Sequence, residues 1–134
     1  MSELARLHSR KTPYNGQVYD SAAEAHRAAT LDLLVKAGRI VRWERGSRQL
    51  VFDGGVGRKV FYTPDFLVWR GDRQAHAEEV KGVARDWRTK RLILPRDLRI
   101  RLILWEVKYP DLPVIVVDRD GSVIWRLNSK RDLR

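Results

Sequence analysis

Thr63-Pro64-Asp65-Phe66, followed beyond a Gly71-Asp72 turn by Glu78-Glu79-Val80-Lys81-Gly82, is the stretch that decides the fold. Both halves are β-prone. Val60 to Trp69 is rich in Val, Phe, Tyr, Leu and Trp, and Pro64 inside it is expected at an edge, a bulge or a bend. Gln74 to Lys81 reads as the next strand, ended by Gly82. A strand alternates its side chains with period two, so Glu79 and Lys81 share one face and Glu78 takes the other. With Asp65 on the adjoining strand, two acids and one amine converge on one patch. Two hard oxygen donors suit Mg2+, and an ammonium beside them suits holding or polarising a water. Such a set is equipped to cut a phosphodiester.

Outward from this stretch, the elements follow in order. Residues 1–13 are basic without clear periodicity and read as an arm. Tyr14-Asn15-Gly16 carries a turn signal, then Gln17 to Tyr19 is extended. Ser21-Ala22-Ala23-Glu24 is a capping-box pattern that opens a helix to about Lys36, with Gly38 as its stop. Ala28, Leu31, Leu34 and Val35 form its apolar stripe. Extended pieces are expected at Ile40–Glu44 and Arg48–Phe52, separated from Val60 by the loop Asp53-Gly54-Gly55-Val56-Gly57. A second helix is predicted over about 95–108, with Leu98, Leu102 and Trp105 on one side and Ile103 and Val107 beside them; Pro110 stops it. Pro113–Val117 is a buried-strand run, and Asp120-Gly121 turns it into Val123-Ile124-Trp125. The tail from Asn128 is polar and basic. This order, α-β-β-β-α-β-β, predicts an α/β fold with a central mixed sheet flanked by helices and at least one parallel crossover.

A chain of 134 residues with 43% apolar content suits one domain, here taken as 1–134. The net charge of +10, carried by 20 Arg and 7 Lys against 17 acids, favours a polyanionic partner. Nucleic acid is the first choice, because each phosphate contact releases counterions and Arg binds phosphate bidentately. A membrane surface fits less well, since the basic residues are scattered rather than gathered on one amphipathic helix. There is no cysteine, which excludes disulfides and a Cys-based zinc site. His8, His26 and His76 lack metal-ligand spacing and are expected on the surface or a helix face. No apolar run reaches membrane-span length and the N-terminus does not read as a signal peptide, so a cytoplasmic protein is expected.

A Glu-x-Lys tripeptide is weak by itself, and this chain holds a second copy, Glu106-Val107-Lys108, beside a second Pro-Asp, Pro110-Asp111. That copy lies in a helical register, where residues two apart diverge, and its Pro-Asp follows rather than precedes it. Asp is disfavoured inside strands, so Asp65 amid Phe61, Tyr62, Phe66 and Val68 calls for a reason. Glu24 is a third candidate carboxylate, which a helix packed on the sheet would bring to the same patch; its other reading is a plain capping-box Glu. Glu78 is expected to be structural or to face the DNA.

Taken together, Glu24, Pro64-Asp65 and Glu79-Val80-Lys81 resemble the signature of the PD-(D/E)XK nuclease superfamily. The likeness is greatest to small phage-type members, through Gly16-Gln17-Val18-Tyr19-Asp20-Ser21-Ala22-Ala23-Glu24 and Tyr109-Pro110-Asp111, and it covers about residues 14–118. Gly46 stands where those proteins carry a Gln, and the segment 83–97 is longer and more basic than theirs. The resemblance implies a restriction-endonuclease-like αβββαβ core and hydrolysis dependent on Mg2+ or Mn2+, leaving 5′-phosphate ends. It also implies that Asp65, Glu79 and the Val80 carbonyl bind metal, that Glu24 binds a second metal or a metal-bound water, and that Lys81 orients the attacking water.

Small basic single-domain members of this superfamily resemble archaeal- and phage-type Holliday junction resolvases, which implies cleavage of four-way DNA junctions by a homodimer. A nicking, flap or restriction-type nuclease and a catalytically silent DNA-binding module are the alternatives. Arg85, Trp87, Arg88, Lys90, Arg91 and Arg99, with Arg96 and Arg101, are candidates for DNA contact, Trp87 by stacking on an exposed base. Val123, Ile124 and Trp125 serve either a dimer surface or the core.

Overall fold

Pro64 splits the β-prone run from Val60 to Trp69 into two strands that belong to different sheets. In the computed structural model, which describes residues 10–81, 88 and 94–127, these are β5 (Lys59–Tyr62) and β6 (Phe66–Gly71). Proline has no N–H for a ladder and restricts the residue before it, so a change of direction falls where Thr63-Pro64 stands. The chain before this break holds β1 (Thr12–Tyr14), β2 (Gln17–Tyr19), α1 (Ala22–Lys36), β3 (Arg42–Arg45) and β4 (Gln49–Asp53). After it come β7 (Gln74–Val80), α2 (Arg96–Lys108), β8 (Val114–Val117) and β9 (Val123–Arg126).

The protein is a mixed α/β structure. Its main sheet has the order β3-β6-β7-β8-β9; β7 and β8 run parallel, joined through α2, and the other neighbours are antiparallel. Consecutive residues of β7 and β8 fall into opposite cores, as strand alternation requires. Val80 and Val117 meet Ala28 and Leu31 of α1 with Phe66 and Val68, while Ala77, Val114 and Val116 meet Leu102 and Trp105 of α2. The two helices therefore cover opposite faces of the sheet, and β8, apolar on both, is a central strand. Full burial of side chains of this size stabilises by roughly 1.5–3 kcal/mol each.

Local chemistry sets the boundaries. Ser21 Oγ accepts from the Glu24 N–H at 3.1 Å and caps α1; Gly38, at φ 73°, ends it. Asn15 and Gly16 both take positive φ and make the two-residue turn between β1 and β2. That hairpin takes in Thr12 and Pro13, so the expected arm 1–13 ends before Thr12. Asp32 of α1 ties hairpin and sheet together, accepting from Tyr14 Oη at 2.5 Å and from Trp43 Nε1 at 2.9 Å.

The strands β4 and β5 pair only with each other among the described residues, as a ribbon outside the main sheet. Helix α2 supports it: Arg101 Nε donates to the Phe61 carbonyl at 3.1 Å, Lys108 Nζ donates to the Leu50 carbonyl, and Tyr62 packs edge-on against Trp105. Several sequence expectations need correction here. His76 is buried on β7, not on the surface or a helix. Val35, Ile103 and Val107 are exposed, so the α1 stripe is Ala25, Ala28 and Leu31 with Leu34 partly covered. Ile124 and Trp125 pack on the α2-side core, whereas Val123 stays exposed. No helix among the described residues is long and apolar enough to cross a membrane.

Candidate active site

The site forms where β6 begins and β7 ends. The β6–β7 ladder pairs Phe66 with Glu78, which puts Asp65 level with Glu79 across the gap. Two backbone-directed bonds lock Asp65 there: its N–H donates to the Glu78 carbonyl at 2.9 Å, and its Oδ2 accepts from the Val80 N–H at 2.7 Å. The Asp65 carboxyl is also within hydrogen-bonding reach of the Glu79 carboxyl. A residue's N–H and C=O point to the same edge of a strand. The Val80 carbonyl thus faces the Asp65 side, past the last ladder residue of β6, and has no β6 partner in register.

Gly46 makes this approach possible. Its N–H donates to the Asp65 carbonyl at 3.2 Å, and a Cβ at this position would lie 2.0 Å from the Pro64 carbonyl oxygen. Any side chain here would push the Thr63–Asp65 bend outward. The glycine at this place therefore has a steric cause, independent of the Gln found there in the phage-type proteins.

Among the described residues, burial and mutual repulsion act on the carboxyls of this patch. Burial, then the neighbouring Glu79 carboxylate, holds Asp65 well above the ordinary aspartate range; the Val80 N–H and the Lys81 ammonium oppose this. Glu24, half-buried in the first turn of α1, is pushed up to about 7 by burial, then by the charges of Asp65 and Asp20, against the opposing pull of Arg45. Tyr62, buried at the ribbon's end, donates its hydroxyl to Glu79 Oε1 at 3.0 Å, and burial beside Glu79 and Asp65 pushes its phenol up. Asp65 thus lies within electrostatic reach of Glu79, Lys81 and Glu24, and is the residue that links the other three. Among the described residues no three His, Asp or Glu side chains form a closed metal cage; the donor pair is Asp65–Glu79, with Glu24 at longer range.

A family described as protein of unknown function (DUF1064) matches residues 4–119. The chain belongs to that family. No curated protein and no solved structure matches it.

The remaining expected residues of this DUF1064 member separate clearly. Glu78 is structural: on the opposite face of β7 it takes a bidentate pair from Arg27 Nε and a terminal nitrogen, both at 2.8 Å, and meets His76 Nε2 at 2.8 Å. The second Glu-x-Lys is structural as well, since Glu106 Oε1 accepts from the Val114 N–H at 3.0 Å and Lys108 holds the ribbon. Of the predicted DNA contacts, Arg88, Arg96 and Arg99 are exposed and Arg101 is engaged with Phe61. Arg85, Trp87, Lys90 and Arg91 lie outside the described residues. Sequence reasoning missed Tyr62 and Arg45. Arg45 lies over the Tyr19 ring and donates to the Val18 carbonyl, close enough to Glu24 to act on its charge. Tyr62 sits two residues before Pro64, so its place next to the Pro-Asp signature was the one signal available.

Proposed function

We propose that this chain is a divalent-metal-dependent DNA endonuclease of the PD-(D/E)XK kind, acting on branched DNA and above all on four-way junctions. The observation that carries the reading is the gathering of Asp65 with Glu79 and Lys81 at the end of β7, with Glu24 of α1 near enough to Asp65 to act on its charge. The helix and strand order of the main sheet, α1-β3-β6-β7-α2-β8, supports the likeness to that superfamily.

The donor set fits Mg2+ or Mn2+. It offers hard oxygens, a Val80 carbonyl with no β6 partner in register, and carboxyls whose burial and crowding raise their proton affinity, a cost that a bound cation would relieve. Asp65, Glu79 and the Val80 carbonyl would hold the ion, and Glu24 a second ion or its water. A cation bound there supplies positive charge to the phosphate and makes a coordinated water more acidic. Lys81 orients the attacking water and counters charge developing on the phosphate oxygens. Tyr62 fixes the Glu79 carboxylate. Water oxygen bonds to phosphorus as the bond to the 3′ oxygen breaks, leaving a 3′-hydroxyl and a 5′-phosphate.

The net charge of +10 suits a substrate gripped by its backbone. A four-way junction offers two equivalent cut sites, which a two-fold homodimer matches. The decisive experiment incubates the protein with Mg2+ and end-labelled junction, duplex and single strand. Paired symmetric nicks in the junction alone are expected. Asp65→Asn, Glu79→Gln and Lys81→Ala should abolish nicking while leaving junction binding and the circular dichroism spectrum unchanged. Cleavage of linear duplex would instead support a restriction or nicking enzyme, and binding without cleavage in any metal would sink the nuclease reading.

A further inference from the structure

The β4–β5 ribbon ends in an apolar tip that stands exposed among the described residues. Val56 is fully exposed, at 101% of its reference surface, and Phe52 beside the turn is 46% exposed. The tip is a formed element: Gly54 N–H donates to the Arg58 carbonyl at 2.7 Å, Arg58 N–H to the Gly55 carbonyl at 2.9 Å, and Gly55 N–H to Asp53 Oδ1 at 3.0 Å. Val56 sits there at φ 49°, a left-handed conformation that a β-branched residue rarely adopts and glycine takes freely. The turn therefore carries a valine at a position whose backbone favours glycine.

Around this tip the ribbon is cationic. Arg48, Arg58 and Lys59 are exposed, and the one acid between Gln49 and Tyr62 is Asp53, whose carboxylate is taken by Gly55. The ribbon is fixed to α2 and, through the Tyr62 hydroxyl, to Glu79. From Tyr62 to Val56 is six residues, at most about 20 Å at a strand's rise of ~3.3 Å per residue. Half a turn of B-form DNA is about 17 Å. The ribbon's length from Tyr62 to its tip is thus comparable to the step from a phosphate held at Asp65–Glu79 to the next groove of a double helix.

Resting on the nuclease reading above, we propose that the β4–β5 ribbon enters a groove of the duplex arm next to the cut phosphate. Arg58 and Lys59 contact its backbone, and Val56 bears on the base edges. The major groove admits a two-stranded β-ribbon, and an apolar tip finds thymine methyls there, whereas phosphate contact alone needs no valine.

Two variants test this by fluorescence anisotropy on duplex and junction DNA in EDTA, with thermal unfolding measured alongside. Val56→Gly relieves the left-handed backbone, so its Tm should hold or rise by a few degrees while DNA affinity falls about five- to tenfold. A merely structural valine would lower both together. Arg58→Ala with Lys59→Ala should reduce the slope of log affinity against log salt by about 2, close to 0.9 per lost phosphate contact. In Mg2+ both variants should raise KM with kcat preserved. Unchanged affinity and slope, in a protein that binds and cuts DNA, overturn the ribbon and leave the nuclease standing. Weakened binding in a protein that never cuts supports the ribbon and sinks the nuclease. Absence of any DNA binding by the wild type overturns both. Loss confined to adsorption on phosphatidylserine vesicles overturns the proposal in favour of a lipid surface.

Discussion

Replacing Glu24 by Gln separates a carboxylate of the acidic patch from a mere helix cap. Gln at the third helical position keeps the capping geometry with Ser21, so a capping role alone makes the change nearly silent. Half-buried and beside Asp65, Glu24 costs the metal-free protein stability. Its folded value of about 7 lies above the ordinary 4.5, so between these values the folded state holds a proton that the unfolded chain releases. Stability then falls as pH rises across that window. The full shift corresponds to about 3 kcal/mol, and solvent around this half-exposed side chain reduces it to about 1–2 kcal/mol. For a chain of this length that is roughly 4–7 °C in Tm. Thermal unfolding in EDTA should show Glu24→Gln above the wild type by this margin at pH 8 and nearly level with it at pH 4.5. Adding Mn2+ at pH 8 should stabilise the wild type more than the variant. Equal melting at both pH values, or a variant that is less stable throughout, refutes membership of Glu24 in the patch.

Tyr62→Phe removes the hydroxyl that positions Glu79; about 1 kcal/mol of stability should go with that hydrogen bond, and single-turnover cleavage should slow by roughly tenfold. An unchanged rate would show that Glu79 is held without Tyr62. Arg27→Met leaves Glu78 buried without its bidentate partner and should cost about 3–5 kcal/mol in urea unfolding, with the Mn2+-induced gain in Tm retained because the pair lies on the other face of β7. Gly46→Ala drives a methyl into the Pro64 carbonyl; it should cost at least about 2 kcal/mol and abolish cleavage at temperatures where the variant is still folded by circular dichroism. Full activity in that variant would mean the bend carrying Asp65 is not held by this contact.

The chain order and the placing of Glu79 and Lys81 on one face of the strand were legible because they are local: one follows from periodicity and caps, the other from strand alternation. What was not legible depends on partners far along the chain. The composition of Val60–Trp69 is equally β-prone on both sides of Pro64, so nothing local says that β5 joins β4 while β6 joins the main sheet. His76 looked like a surface residue because its burial rests on Glu78, and Glu78 is tolerable inside only because Arg27 arrives from a helix 51 residues earlier. Tyr62 read as one more β-prone aromatic because its hydroxyl partner, Glu79, lies 17 residues on. Gly46 could not be interpreted from sequence because its reason is a carbonyl on another strand.

The neighbours Glu78 and Glu79 show how one strand keeps support and chemistry apart. Burial pushes Glu78 up, but the hydrogen bonds from Arg27 and His76 outweigh it and hold the carboxyl below its ordinary range. Its contribution to stability is therefore fully present above pH ~4.5 and is lost as acid protonates it. Across the strand, Glu79 meets Asp65 and a tyrosine hydroxyl, with the Lys81 ammonium near Asp65, and burial and crowding there raise Asp65. That face gains stability on protonation and loses it on ionisation, the opposite sign over a higher pH range. An acid-unfolding limb below pH ~4.5 should accordingly survive Asp65→Asn and vanish in Arg27→Met, whereas the loss of metal-free stability from pH 5 to 8 should survive Arg27→Met and shrink in Asp65→Asn. If both limbs move together in either variant, the two faces of β7 are coupled and the separation argued from strand alternation fails.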